Sequence, residues 1–255
     1  SRLIRCSGGS CGTIRRKQDS ILSKITGNTS GSIWAVGDLS TVLSCTGIRC
    51  NERVEPRGIP YVNVFVNPLS RLYVTDLLGN LCSCLGLYCE CRASTFPVTS
   101  FTGQSRYTWI GETMGRLSKE DSNLGGASVL VPTGTTDTLT SLWTSSSGEV
   151  WAVGRRSLLR CSGTFCTPLP WVATDDLVAL DGNSSGEVWV VGKAGNVVKC
   201  SGATCALIPK VTSADLRVVA VDRAHVGEAE GLEEHAGREE ALQRVLAAPG
   251  EGGQV

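Results

Sequence analysis

The chain has 255 residues and a formal net charge of zero, because 24 basic side chains balance 24 acidic ones. This balance gives no reason to expect a nucleic-acid partner, and the length is sufficient for a sizeable core. No apolar run approaches the roughly 18 residues that a membrane span requires, so we expect a soluble chain, either a mature form or a fragment.

An internal repeat begins near the N-terminus. A Cys-x4-Cys pair recurs at intervals of 39 residues, first from Cys6 to Cys45 and Cys84, and again from Cys161 to Cys200. An aromatic residue recurs with nearly the same period at Trp34, Tyr73, Trp151 and Trp189. An apolar anchor lies about twelve residues before each aromatic position, in the series Leu22, Tyr61, Phe96, Leu139, Leu177 and Leu216. These spacings predict five complete repeats, with part of a repeat at each end.

Each repeat is predicted to form four strands. In the fifth repeat these strands run through LVAL from Leu177, EVWVVG from Glu187, NVVKC from Asn196 and CALIP from Cys205. Strands such as VWVV carry apolar residues on both faces, which indicates that both faces are covered. Four-stranded units of about 39 residues, each packed between neighbours, are typical of an all-β propeller.

The two ends of the repeat region complement each other. The N-terminal text RLIRCSGGSC supplies the last two strands of a blade, and LRVVAV from Leu216 supplies a first strand. We therefore predict that residues 1–222 form a six-bladed propeller closed by its termini. An open fragment of five blades is the alternative.

One sequence motif recurs at Gly31–Gly47, Gly148–Gly163 and Gly186–Gly202. It consists of G-[EST]-[IV]-W-A-V-G, a short turn, a strand and S-G. This motif resembles bacterial propeller repeats of the WD-like and BNR-like group, and its sequence is similar to that of tectonin repeats. The resemblance implies a propeller fold and, through the tectonins, a lectin that binds glycans. The chain lacks the Asp box of sialidases and the Trp-Asp dipeptide of WD repeats, so the chemistry of those families is not implied.

The cysteines are predicted to pair within hairpins. A four-residue loop between antiparallel strands places its flanking residues opposite each other, within reach of a disulfide. The third repeat adds a second rung, and the six predicted pairs are Cys6–Cys11, Cys45–Cys50, Cys82–Cys91, Cys84–Cys89, Cys161–Cys166 and Cys200–Cys205. Use of all twelve cysteines predicts an oxidising compartment, meaning a secreted, periplasmic or cell-surface protein.

The alternatives for these cysteines are free thiols or a zinc site at Cys82, Cys84, Cys89 and Cys91. Two rungs of one ladder do not converge on a tetrahedral point, so we predict no metal.

The pattern fails in two places. The fourth repeat has Lys119 and Leu124 where cysteines are expected, which we interpret as drift, with remodelling for binding as the alternative. Residues 223–255 hold 7 Glu and both histidines of the chain but no Ser, Thr, Lys or Cys. This segment is either a genuine acidic, disordered tail with a short helix or the product of a shifted reading frame.

The repeat region offers little for catalysis. It has no histidine, which excludes His-dependent nucleophilic sites. It also has no phosphate-binding glycine loop. Paired carboxylates such as Asp175 and Asp176 could serve a glycosidase, but Asp is also favoured in turns for structural reasons. We predict no enzymatic activity and no cofactor.

The turn after each V-W-A-V-G strand is expected to lie at one rim of the propeller. Acids occupy one arc of this predicted contact surface and bases the other, in the order Asp38, Asp76, Glu112, Arg155, Arg156 and Lys193. An ordinary solvated rim is the alternative. The recurring aromatics are predicted to pack between blades, whereas Trp143 and Trp171 do not recur and are better candidates for contact.

The predicted function is a non-enzymatic, exported, monomeric scaffold that binds an unknown protein or glycan. A tectonin-like lectin is the alternative, and a carboxylate glycosidase is a distant third.

Overall fold

The computed structural model describes residues 3–7, 10–14, 20–28, 30–47, 49–67, 69–121, 127–210 and 212–221. The predicted tail at 223–255 and Leu124 therefore lie outside the described residues. Regular structure in the described ranges consists of β-strands and short 3-10 turns, such as Asp38–Ser40 and Lys193–Gly195. No helix in these ranges is both long enough and apolar enough to cross a membrane.

The strands form one hairpin and five sheets in chain order. The hairpin pairs β1 (Leu3–Ser7) with β2 (Ser10–Ile14). Sheet 1 contains β3 (Leu22–Gly27), β4 (Ser32–Gly37), β5 (Thr41–Thr46) and β6 (Arg49–Val54). Sheet 2 contains β7 (Tyr61–Val66), β8 (Leu72–Asp76), β9 (Leu81–Leu85) and β10 (Tyr88–Arg92). Sheet 3 contains β11 (Val98–Gln104), β12 (Tyr107–Glu112), β13 (Leu117–Asp121) and β14 (Ala127–Val131).

Sheet 4 contains β15 (Leu139–Thr144), β16 (Val150–Gly154), β17 (Leu158–Ser162) and β18 (Phe165–Pro168). Sheet 5 contains β19 (Leu177–Gly182), β20 (Glu187–Gly192), β21 (Val197–Ser201) and β22 (Thr204–Leu207). All five sheets are four-stranded and antiparallel, and each strand pairs with its neighbour in the chain. The prediction of four strands per repeat is confirmed.

Two expected strands differ from the structure. Sheet 3 begins at Val98 rather than at Phe96, because the Val98 side chain is buried and its amide donates a hydrogen bond of 3.0 Å to the Gly79 carbonyl. Leu216 forms only a single bridge, and residues 217–221 have no regular structure. Closure of the ring by the termini, and with it the count of six blades, stays a prediction.

The chain divides into two compact units. The first comprises Ser1–Ile110 with Lys119–Ser128, and the second comprises Gly111–Ser118 with Val129–Val255, so the division runs through sheet 3. In the first unit, sheets 1 and 2 share a core that includes Val36, Val42, Tyr61, Val64 and Val74. In the second unit, sheets 4 and 5 share a core that includes Trp143, Trp151, Leu177, Leu180 and Val188.

The second strands of sheets 2 and 4 are the most deeply buried strands of their sheets. All five residues of β8 and all five of β16 are buried, as expected for strands covered on both faces. Tyr73 and Trp151 are almost inaccessible to solvent, which confirms that these recurring aromatics pack in the interior. Trp143 is also in the core, so its proposed contact role is wrong; Trp171 is partly buried against the same cluster.

The glycine that closes the V-W-A-V-G text has a packing explanation. Gly192 pairs with Leu177 where the first two strands of sheet 5 meet at a register shift. A Cβ on Gly192 would overlap the carbonyl oxygen of Asp176. The same close approach occurs between Gly37 and Ile21 in sheet 1, so the recurring glycine lets the first strand lie directly against the second.

Disulfides form in four of the five sheets, at Cys45–Cys50, Cys82–Cys91, Cys84–Cys89, Cys161–Cys166 and Cys200–Cys205. These five predicted pairs are confirmed. Cys6 and Cys11 face each other in the backbone register of β1 and β2, but their side chains lie outside the described part of the chain.

Sheet 3 contains no cysteine, and its substitute differs from the predicted one. Cys161 is the fourth residue of β17, and the fourth residue of β13 is Glu120, not Lys119. Glu120 is buried, accepts a 2.9 Å hydrogen bond from the Tyr73 hydroxyl and lies 3.7 Å from an Arg71 nitrogen. Glu120 therefore occupies the position that a disulfide-bonded cysteine holds in sheet 4, and it forms a polar network with Tyr73 and Arg71.

Candidate functional site

The basic turns of the second unit meet at one carboxylate. Arg155 Nε lies 3.2 Å and Lys193 Nζ 3.0 Å from the same oxygen, Oδ2 of Asp176. Lys193 also donates its amide to the Asp176 carbonyl, at 2.8 Å. The hydrogen bond from the Lys193 ammonium, together with Arg155, lowers the pKa of Asp176 in spite of partial burial. The structure thus brings two of the predicted rim bases together and assigns them a counter-ion.

Arg156 differs from these two bases. Its backbone amide donates to Asp137 Oδ2 at 3.0 Å, and the same oxygen accepts the Ser157 hydroxyl at 2.7 Å. The Arg156 side chain is exposed. Asp137 therefore closes the turn through the backbone and presents the Arg156 guanidinium to solvent.

The predicted acids serve mainly to hold their turns. Asp38 Oδ1 accepts the Ile21 amide at 2.8 Å, and Glu112 pairs with Arg116 at 3.1 Å. Asp76 is 1% exposed, so its predicted place on an exposed rim is wrong. Its carboxylate accepts hydrogen bonds from the backbone amides of Leu78 and Asn80 and from the Asn80 side chain. A buried carboxylate needs such donors to replace water, which explains why Asp76 turns inward.

Large apolar side chains occupy the same turns, and the sequence reading missed them. In the first unit, Leu39 is 53%, Leu77 65% and Leu78 66% exposed. The corresponding turn of sheet 5 carries Lys193 and Ala194, and Ala194 has the same left-handed φ of +50° as Leu39. The turn conformation therefore does not require a large apolar residue. Counting residues from the buried aromatic position to each turn could have revealed that some turns carry a large apolar residue and others do not.

Hydrogen bonds place these turns side by side within the first unit. The Ser40 hydroxyl donates to the Ile59 carbonyl at 2.6 Å, and the Leu77 amide donates to the Pro60 carbonyl at 2.8 Å. Because residues 59 and 60 are consecutive, the turns of sheets 1 and 2 lie along one edge. Ile21 lies beside the turn of sheet 1, because its carbonyl accepts the Asp38 amide at 3.0 Å, and it is 64% exposed. We call this surface the apolar edge, and its residues are Ile21, Leu39, Leu77 and Leu78.

One group of possible metal ligands occurs in the described part of the chain. The sulfurs of Cys82 and Cys91 lie with a carboxylate oxygen of Asp76 within 4.8 Å of one another. The two sulfurs are bonded to each other, whereas zinc is bound by thiolates. Oxidised sheet 2 therefore offers no thiolate ligand at this position.

Comparison with known proteins identifies the fold but no sequence family. No protein-family model and no curated protein matches the chain. YCF48 from Cyanidioschyzon merolae has 14% identity and a TM-score of 0.59, and the match covers 82% of this chain and 78% of that chain. A structure of YCF48 bound to D1 peptide has 13% identity and a TM-score of 0.55, with coverages of 75% and 68%.

The extracellular domain of BT4673 from B. thetaiotaomicron is similar to this chain over a smaller part of its own length. The identity is 14% and the TM-score 0.63, and the match covers 81% of this chain but 30% of that one. Identities this low show the fold alone. The chain is an all-β protein whose five four-stranded sheets match the blades of β-propeller structures.

Proposed function

We propose that the chain is a non-enzymatic, exported binding scaffold that contacts a polypeptide through the apolar edge. The observation that carries this proposal is the exposure of four large apolar side chains on or beside neighbouring turns of one unit. Exposed apolar clusters on otherwise well-packed proteins are typical of interaction surfaces. Rigid strands support these turns, and binding residues commonly lie on loops that such a scaffold positions.

Two further observations support the location and the kind of partner. Five disulfides favour an oxidising compartment, and one structural neighbour is an extracellular domain. Another neighbour, YCF48, has a structure with a bound peptide. The recurring rings of Tyr73 and Trp151 are buried and cannot stack on a sugar, and those of Trp34 and Trp189 are partly buried, so we favour a polypeptide over a glycan.

The charges of the second unit support a role in binding rather than catalysis. A glycosidase pairs a carboxylic acid of raised pKa with an ionised carboxylate, and the two cations that lower the pKa of Asp176 make it unsuited to the acid role. The exposed side chains of Arg155, Arg156 and Lys193 are suited to orienting a polar partner. Their contribution would weaken with added salt.

A displayed peptide library and a glycan array, each screened against the intact chain, provide the test. The diagnostic variant combines Leu39→Asn, Leu77→Ser and Leu78→Ser, with Asn chosen because it tolerates the left-handed conformation. The matched control is Leu85→Ser with Tyr88→Ser, which removes exposed apolar side chains from the β9–β10 hairpin tip.

We expect selected peptides to lose at least about tenfold in affinity for the first variant and to bind the control as they bind the parent chain. Equal loss in both variants would contradict the apolar edge as the site. Binding to glycans without binding to any peptide would favour the lectin.

A further inference from the structure

The outermost strand of sheet 3 has an unusual surface. β14 (Ala127–Val131) lies at the end of its sheet and has the sequence ASVLV, with no charged residue. Val129 is 59% and Leu130 51% exposed. Successive residues of a strand point to opposite faces, so both faces of this strand carry an uncovered apolar side chain.

Three of the other outer strands carry charged side chains or a proline, and the fourth, β22, has only four residues. Charged side chains occur on β6 (Arg49, Glu52 and Arg53) and on β10 (Glu90 and Arg92), and β18 ends in Pro168. The single large apolar residue of β22, Leu207, is partly buried. Each of these four strands is also tied to its inner neighbour by a disulfide, whereas residues 98–131 contain no cysteine.

Charged side chains and prolines are among the means by which proteins prevent their sheet edges from pairing with another chain. We propose that β14 is a self-association edge, which pairs antiparallel with β14 of a second copy and extends sheet 3 across the two molecules. Two-fold pairing centred on residue 129 places Val129 opposite itself and Ser128 opposite Leu130. Backbone hydrogen bonds then form along the edge, and cross-strand apolar contacts cover the exposed side chains.

A second copy is the occupant that this strand favours. An edge without charge cannot select a partner by charge complementarity, and it fits a strand that is equally apolar and uncharged. A second copy supplies such a strand with the same length and the same alternation. Five paired residues bury less than the roughly 1,200 Å² of a standard interface, so the dimer is weak. We expect a monomer at about 10 µM and a substantial dimer fraction near about 1 mM.

Sedimentation equilibrium of the full chain between these concentrations measures the association. Hydrogen exchange of the 127–131 backbone amides at both concentrations locates it. We expect the average mass to rise with concentration and the β14 amides to exchange more slowly at the high one. Val129→Lys with Leu130→Lys should abolish both effects, because the substituted 129 positions would place like charges directly opposite each other and the apolar contacts of residue 130 would be lost. Phe165→Lys on β18, another outer strand with an exposed apolar residue, should leave both unchanged.

Circular dichroism of each variant checks that the β-sheet content is retained. A constant monomer mass up to about 1 mM would overturn the proposal, as would association that persists in the double-lysine variant. Association without slower exchange in β14 would assign the dimer to another surface and also overturn it. If a selected peptide, rather than a higher chain concentration, protects the β14 amides, the edge binds a different partner and the proposal fails.

Discussion

At the scale of single residues, the charge of Asp176 organises the contact between a turn of sheet 4 and the first strand of sheet 5. Arg155 and Lys193 both reach its Oδ2, and the Leu177 amide donates to the Arg155 carbonyl at 3.2 Å. Two cations on one oxygen favour the ionised carboxyl, which is the cause of its lowered pKa. Arg155 and Lys193 remain half or more exposed, so water weakens the pairs.

Asp176→Asn should therefore lower stability in a pH-dependent way. Because the folded state lowers the pKa of Asp176, its contribution is present above the unfolded pKa of about 4 and is lost as pH falls through the folded value. We expect the variant to have a lower Tm than the parent at pH 7. Its free energy of unfolding should be lower by no more than about 1 kcal/mol. Calorimetry from pH 7 to pH 2 should show this difference shrinking.

Asp175→Asn is the control, because Asp175 is an exposed neighbour whose carboxylate accepts a hydrogen bond from the Thr174 hydroxyl. This substitution removes the neighbouring carboxylate and leaves the contacts of Arg155 and Lys193 with Asp176 in place. A difference between Asp176→Asn and the parent that stays constant down to pH 2 would contradict the electrostatic explanation.

At the scale of elements, the β9–β10 hairpin carries two nested disulfides. Cys84 pairs with Cys89 and Cys82 with Cys91, in register on the same two strands. A disulfide stabilises mainly by restricting the unfolded chain, and a loop of this size contributes about 2 kcal/mol. Once one rung closes the hairpin, the other restricts the unfolded chain less.

Removal of the two rungs should therefore be non-additive. We expect Cys82→Ser with Cys91→Ser, or Cys84→Ser with Cys89→Ser, to cost less than about 2 kcal/mol each. The quadruple variant should cost more than the sum of the two, because only then is the hairpin open in the unfolded state. Chemical unfolding of the three variants and the parent measures this coupling. Strictly additive losses would show that the rungs act through native packing instead.

Sheet 3 is the element that departs from the repeat. Glu120 lies eleven residues after Trp109, the same interval that separates Trp34 from Cys45. A count from the buried aromatic would have found Glu120, whereas the predicted position was Lys119. The same sheet contains the uncharged edge strand β14, so the departure affects both its interior and its edge.

At the scale of the whole molecule, the five sheets and the five disulfides all lie before residue 208. The cores of the two units are built from these sheets, and the last described residue is 221. Neither hypothesis for residues 223–255, an acidic tail or a shifted reading frame, gives this segment a structural role in the blades.

Truncation after Asp222 should accordingly leave the Tm within about 2 °C of the full chain, the shift that a change of under 1 kcal/mol produces at this size. Differential scanning calorimetry of both chains measures this, and unchanged near-ultraviolet circular dichroism would confirm that aromatic packing is retained. A drop of more than about 5 °C would show that the segment packs on the folded body, and both hypotheses would then be wrong.

The sequence by itself determined the repeat, the four strands per unit and the pairing of the described cysteines. These features depend on local spacing: a hairpin of fixed loop length sets its own register, and a 39-residue period repeats the same local choices. The recurring glycine was also evident in the sequence. The reason for it, the close approach of Gly192 to Asp176, was evident only in the structure.

Only the tertiary structure decided which side chains are covered. Asp76 is buried, Trp143 lies in a core, and Leu39 is exposed at a turn for which the sequence predicted only a charged contact residue. Burial depends on which neighbouring sheet lies against a residue, and residues far apart in the chain, such as Trp143 and Gly182, make that contact. Glu120 illustrates this, since its partner Tyr73 is 47 residues away and in another sheet. Local periodicity carries no record of such pairs, whereas the packing of one blade on the next creates them.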